Sequence, residues 1–354
     1  MIHGGDTKTY GEKYGQAMVD FSSNINPCGP PALFKEVLAG AYQAMTTYPD
    51  PYYRDLRASL AGYLSCRAQE VLVGNGAMDI IDGAIRVFDR VIIAYPAFVE
   101  YELRAQINEK DLVHIPMRED LRPDIPALIG AMEEGSLLIL GNPNNPTGFR
   151  LKEEDLLALY EAALRKGTTL LLDEAFYEFC PEDYDSVALF KKTHYQQVII
   201  IRAATKFFAI PGLRLGYGVT HEAIKAQIEA YLHPWRVNSM ADALGQTLPD
   251  LEDYARRSRA YVAGERTFLL EELKKLKGLR AYPSLANYIL IGLERDSGSF
   301  LQDFLGARGL LIRRCENFRG LNDDYIRIAV KGREANLKLI QALKEYEKRS
   351  CSGV

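Results

Sequence analysis

Lys206 stands between an apolar run ending in an acid, Thr169-Leu170-Leu171-Leu172-Asp173, and the turn Gly212-Leu213-Arg214. Ahead of both lies Asn142-Pro143-Asn144-Asn145-Pro146-Thr147-Gly148. An amine can capture an aldehyde, and an acid can keep a ring nitrogen protonated. An arginine can grip a phosphate with two parallel hydrogen bonds, and an amide can reach a ring hydroxyl. Pyridoxal 5′-phosphate asks for all four at once.

Taken singly, each residue has a plainer reading. An isolated lysine is usually solvated. Apolar neighbours on both sides of Lys206, in Arg202-Ala203-Ala204-Thr205-Lys206-Phe207-Phe208, favour a recessed amine whose pKa is lowered by desolvation. Asp173 could cap the helix that follows. The Asn/Pro/Gly cluster could be a turn, although a turn needs fewer such residues. Gly74-Asn75-Gly76-Ala77-Met78 reads as a strand–glycine–helix junction, able to offer backbone N–H groups to a phosphate. Arg214 would add a fixed charge there, or else form a surface ion pair. Arg313 and Arg327 lie in apolar, strand-like runs and must find anions, either a structural carboxylate or a substrate. Arg314 alternates with Arg313, so only one of the two should face inward.

To bring these residues together the chain must fold as alternating strands and helices. Residues 71–74, 91–94, 112–115, 137–140, 169–173, 198–202 and 216–219 are short, mostly continuous apolar runs, as in strands covered on both faces. Helical patterns lie at 78–88, 98–106, 124–133 and 153–166. This predicts an α/β large domain with a mainly parallel seven-stranded sheet between helices. Asn145, Asp173 and Lys206 all fall just past strand ends, where ligands bind in such sheets. After about residue 233 the pattern changes. A long charged helix at 250–277, strands near 288–291, 310–313 and 325–330, and helices at 299–307 and 334–349 predict a smaller α+β domain. The expected division is 1–31 as an arm over the active site, 32–235 as the cofactor-binding domain and 236–354 as the small C-terminal domain. Asn24-Ile25-Asn26-Pro27-Cys28-Gly29-Pro30-Pro31 cannot be regular structure.

Composition limits the function classes. The 354 residues are 47% hydrophobic and 25% charged with net charge −4, which argues against a nucleic-acid surface built on bulk positive charge. No apolar stretch approaches a membrane span, and residues 1–6 lack a signal-peptide pattern. Five scattered cysteines read as reduced thiols in a cytoplasm, and no Cys/His spacing suggests a metal.

Together these motifs, with Tyr48-Pro49-Asp50-Pro51, resemble the fold-type I pyridoxal-phosphate enzymes of the aspartate aminotransferase superfamily over essentially the whole chain. The chain is most similar to the branch holding histidinol-phosphate aminotransferases and threonine-phosphate decarboxylases of cobalamin biosynthesis. Three stretches carry that similarity: His3-Gly4-Gly5, Asp20-Phe21-Ser22-Ser23-Asn24-Ile25-Asn26-Pro27, and the run from Thr205 to Tyr217.

The resemblance implies that Lys206 holds the cofactor covalently and that Asp173 pairs with its ring nitrogen. It implies that Asn145 reaches the ring hydroxyl and that Phe98 stacks on the ring. The Ala77 and Met78 amides, Thr205 and Arg214 would hold the phosphate. Tyr48 would reach the cofactor of a partner subunit, making a homodimer with a shared site. Arg327 would bind the substrate carboxylate; Arg313, His3, Gly4 and Asn24 would line a pocket for the substrate phosphate.

Two positions depart from the pattern. Ala203 stands where a phosphate-binding serine is usual, and Phe176 where aminotransferases carry a tyrosine. The resulting expectation is decarboxylation of L-threonine O-3-phosphate to (R)-1-aminopropan-2-ol O-phosphate. The alternative is a histidinol-phosphate-type aminotransferase using 2-oxoglutarate. A cofactor-binding regulator on the same fold is a third reading, disfavoured because no spare DNA-binding segment is present.

Overall fold

The computed structural model describes residues 3–351. Its strands are β1 (Val19–Asp20), β2 (Val71–Asn75), β3 (Arg90–Tyr95), β4 (Asp111–Pro116), β5 (Ser136–Gly141), β6 (Thr169–Asp173), β7 (Val198–Ala203), β8 (Leu215–Thr220), β9 (Leu279–Ala281), β10 (Tyr288–Leu293), β11 (Leu310–Leu311), β12 (Arg313–Arg314) and β13 (Tyr325–Ala329).

Seven of them form one sheet in the order β2-β8-β7-β6-β5-β3-β4. All its pairings are parallel except those of β8, which runs antiparallel to both β2 and β7. The seven apolar runs of the sequence are these seven strands. β5 through β8 are buried almost end to end, because helices cover both faces. The reversed direction of β8 has a geometric consequence. Its first residues lie at the edge where β2, β5, β6 and β7 end, with Asn75 opposite Leu215 and Ala203 opposite Gly216. One edge therefore gathers the loops that leave these four strands, the last of which leads into β8. Gly216 and Gly218 sit in β8 because a Cβ at 216 would lie 2.3 Å from the Ala77 amide nitrogen, and one at 218 would lie 2.2 Å from the Ile200 carbonyl.

The second sheet, β12-β13-β10-β9, is antiparallel. It packs with the long helix Glu252–Leu273, which in turn packs on Arg333–Cys351. The run 310–313, expected as one strand, divides in two: β11 pairs parallel with β1, while β12 pairs with β13. The Arg313/Arg314 alternation holds, with Arg313 buried and Arg314 turned out to Asp323 and Glu316.

The opening segment is more ordered than its sequence suggests. A helix, Thr7–Tyr14, is capped by Asp6 and tied to Asp303 by Lys13 and Tyr14. Gly306 must be glycine there, since a Cβ would meet the Tyr14 ring at 2.3 Å. Beyond β1, the Phe21 amide donates to Leu311 and the Ala329 amide donates to Phe21. Residues 24–31 contain no helix or strand, as their prolines and glycines require.

Candidate active site

At the loop-gathering edge lies a cavity of about 260 Å³. It is lined by His3, Gly4, Asn24, Ala77, Met78, Phe98, Asn145, Asp173, Thr205, Lys206, Arg214, Arg313 and Arg327, among others. Thirteen of the fourteen residues singled out from sequence thus share one cavity. Tyr48 does not line it. It is 80% exposed and lies against Trp235, with ring centroids 4.8 Å apart.

Lys206 lies on the short helix Ala204–Phe207 that follows β7. Burial, then the nearby Arg327 and Arg214 charges, lower its pKa to about 8. The free amine is then far more populated at neutral pH than in a solvated lysine, as an imine-forming lysine requires.

Asp173 ends β6 and is 8% exposed. Burial raises its pKa. Opposing this, Tyr101 Oη donates to Asp173 Oδ2 at 2.5 Å and the Ala175 amide donates to Oδ1 at 3.0 Å. Asn145 follows β5. Its Oδ1 accepts from Arg327 Nη1, which leaves its NH2 unclaimed among the described residues.

The phosphate-sized end is built from backbone. Gly76 (φ 80°) precedes the helix Ala77–Val87, whose first turn carries no side-chain cap. Arg214, itself left-handed at φ 59°, folds its guanidinium so close that a Cβ on Gly76 would lie 2.4 Å from Nη2. Uncapped helix N–H groups beside a fixed guanidinium are an anion site.

The opposite wall comes from the antiparallel sheet and the opening segment. Arg313 and Arg327 are cross-strand partners, 2% and 5% exposed. Arg327 Nη2 donates to the Ser22 carbonyl at 2.8 Å, while its Nε has no partner. Arg313 Nη2 donates to Asn317 at 2.7 Å. Burial and the neighbouring Arg327 lower the Arg313 pKa to about 10. His3 Nε2 lies 2.8 Å from Glu100, and a Cβ on Gly4 would strike the Ser22 carbonyl. Asn24 gives its carbonyl to Asn287, while its buried Oδ1 has no partner.

Behind Asp173 lies a buried charged layer. Arg202 Nε donates to Glu174 Oε2 at 3.1 Å and Nη2 to Asp185 at 2.5 Å; the guanidinium sits 3.5 Å from the Tyr177 ring centre. Glu174 also accepts from Asn142 and Ser186. Tyr177 is therefore occupied away from the cavity. It begins a 3-10 turn, Tyr177–Phe179. Phe176 lines the cavity, edge-on to Tyr288.

Sequence reasoning missed Tyr101, Ser22 and Phe318. Tyr101 lies three residues after Phe98 on one helix face, a spacing that could have been read. Phe318 comes from a small-domain loop and left no signal.

The donor set fits pyridoxal 5′-phosphate. A buried amine with no hydrogen-bond partner among the described residues faces the same space as a buried carboxylate. A glycine cradle that any Cβ would fill lies beside them. Among the described residues no group of three or more His, Cys, Asp or Glu could hold a metal ion, and no helix is long and apolar enough to cross a membrane.

Residues 16–343 match the profile of the aminotransferase class I and II family. The chain is 37% identical over 328 residues to a Caldanaerobacter subterraneus subsp. tengcongensis protein provisionally named a threonine-phosphate decarboxylase, covering 91% of this chain and 88% of that one. It is 33% identical to a histidinol-phosphate aminotransferase of Symbiobacterium thermophilum, over 92% of this chain and 90% of that one. The crystal structure of the Clostridium acetobutylicum histidinol-phosphate aminotransferase superposes with a TM-score of 0.88 at 35% identity, covering 93% of this chain and 99% of that one.

Proposed function

Because the chain belongs to the aminotransferase class I and II family, whose cofactor is pyridoxal 5′-phosphate, we propose that it decarboxylates a small phosphorylated amino acid, L-threonine O-3-phosphate. The observation that carries this reading is the pair Arg313 and Arg327, side by side on one sheet and both buried. Two buried guanidiniums lining one cavity suit a ligand with two anionic groups. Threonine phosphate carries a carboxylate and a phosphate.

In this reading Lys206 is the residue that carries the cofactor, and Asp173 faces its ring nitrogen. Asn145 reaches the ring hydroxyl, and Phe98 lies against the ring. Thr205, Arg214 and the Ala77 and Met78 amides hold its phosphate. Bound there, the cofactor supplies an electron sink for the pair of electrons left at Cα when carbon dioxide departs. Arg327 would fix the carboxylate so that the Cα–carboxylate bond, not the Cα–H bond, is the one aligned for breaking. Arg313, His3, Gly4 and Asn24 would seat the substrate phosphate. Lys206 is the amine placed to return a proton to Cα, and the amino alcohol phosphate then leaves. Phe176 supports the choice, since it offers no hydroxyl where aminotransferases use a tyrosine. The exposed Tyr48 and Trp235 suit a homodimer in which Tyr48 reaches the partner's cofactor.

The rival reading is transamination of histidinol phosphate with 2-oxoglutarate, favoured by the names of several relatives. One comparison separates the two. Purified protein with threonine phosphate and no oxo acid should release carbon dioxide. Glutamate formed from histidinol phosphate plus 2-oxoglutarate, without carbon dioxide from threonine phosphate, would replace this proposal by the rival.

A further inference from the structure

Among the described residues Asp173 is held by one side chain, and that side chain is a phenol. Tyr101 is 2% exposed on the helix Val99–Ile107, its ring edge-on to Phe98 with centroids 5.6 Å apart. Its hydroxyl lies 2.5 Å from Asp173 Oδ2. Among the described residues no other acceptor takes that hydroxyl. The second oxygen, Oδ1, is fixed by the Ala175 amide. Each carboxylate oxygen thus has one bond inside the protein and keeps a lone pair to offer the cavity.

We propose that Tyr101 is a positioning residue for the reaction: its hydroxyl keeps Asp173 ionised and aimed, so that the shared proton stays on the cofactor's ring nitrogen. The inference rests on the reading that Asp173 faces that nitrogen. A buried carboxylate without a charged partner is pushed toward its protonated form. Among the described residues no arginine or lysine bonds Asp173, and two neutral donors hold the charge. Burial and the neighbouring carboxylate keep the Tyr101 phenol itself protonated, so it remains a donor throughout the working range. A carboxylate that gains proton affinity would draw the proton off the ring and weaken the electron sink. The site also binds Phe98 and Asp173 through one residue: Tyr101 packs on the first and bonds the second, which fixes ring face and ring nitrogen relative to each other.

The test uses four full-length holoproteins: wild type, Tyr101→Phe, Asp173→Asn and the double variant. Two quantities are read, the cofactor dissociation constant and the 15N resonance of ring-labelled cofactor. Tyr101→Phe should weaken cofactor binding about tenfold, the scale of one hydrogen bond to a charged group. It should also move the resonance toward that of neutral pyridine. In the Asp173→Asn background the same change should alter affinity less than about twofold, because a coupled pair loses its coupling once either partner is gone. An unmoved resonance, or an equal loss in both backgrounds, overturns the proposal. Should Tyr101→Phe fail to fold, 3-fluorotyrosine at 101 keeps ring and hydroxyl while donating more strongly. It should then tighten binding, and no change overturns the proposal. If Asp173→Asn alone leaves affinity and resonance intact, it is the placement of Asp173 that fails, a result distinct from failure of Tyr101 alone.

Discussion

Replacing Arg202 by Met would strip the positive charge from the layer beneath the site. Arg202 is 4% exposed and Glu174 fully buried, and the guanidinium bridges Glu174 to Asp185. Deleting one partner of a buried pair costs about 3–5 kcal/mol, because the remaining charge is left without compensation. At roughly 2.1 cal/mol/K per residue, unfolding 354 residues carries about 0.7 kcal/mol/K of entropy, so the melting temperature should fall by about 4–7 °C. The fall should depend on pH. Burial already raises the Glu174 pKa, and Arg202 is what opposes it most. Without Arg202 the folded pKa rises further above the unfolded value. A carboxyl in that condition stabilises the fold while protonated and destabilises it as pH rises through the folded pKa. The variant should therefore lie closest to wild type near pH 5 and furthest below it near pH 8. Scanning calorimetry of the cofactor-free proteins from pH 5 to 8 reads this directly. A fall under 1 °C at pH 8, or one that grows on acidification, refutes the reasoning. Adding Glu174→Leu should recover part of the loss, since no buried charge then remains in the pair.

Cofactor capture by the cofactor-free protein should accelerate with pH and level off above about 8, tracking the free amine of Lys206. Arg327→Met should move that midpoint upward, because the Arg327 charge is the largest lowering influence after burial; a midpoint near 10 in the wild type would contradict it. Gly216→Ala should weaken cofactor binding by tenfold or more in an equilibrium titration, since the new methyl lies 2.3 Å from the backbone beginning the phosphate-side helix; unchanged affinity would show that the junction yields. Arg327→Lys should lower turnover more than it raises KM. Arg313→Lys should instead reduce the preference for phosphorylated over free threonine, as steady-state kinetics with both substrates will show.

Much of this site could be read in the chain because its parts sit next to strand ends. Asp173 closes β6, Lys206 follows β7 and Arg214 precedes β8, so the apolar runs of the sequence locate them. The Gly76 turn was visible for the same local reason. The features that escaped notice depend on distant partners. β1 is two residues long and exists only because β11 lies beside it. β9, Leu279-Arg280-Ala281, is a half-buried edge strand whose pattern does not stand out from a loop. Tyr177 begins a 3-10 turn, and the residue over its ring, Arg202, comes from a different strand. The Tyr101–Asp173 bond spans 72 residues and leaves no periodic trace.

The stitching of residues 19–22 to the C-terminal strands β11 and β13 also sets an order of assembly. Val19 pairs with Leu310, Phe21 bonds Leu311 and Ala329, and Ser22 receives Arg327. On the ribosome these early residues emerge first, yet their partners arrive some three hundred residues later. At roughly 5–20 residues per second that is a wait of about 15–60 s. Once residue 220 is made the seven-stranded sheet has every strand it needs, while the strands at 288–293, 310–314 and 325–329 that carry the facing wall are still to come. The cofactor half of the pocket can thus form while the anion-binding half is still being synthesised. The substrate half is completed by the last contacts made, those of greatest sequence separation, which carry the largest loop-closure entropy.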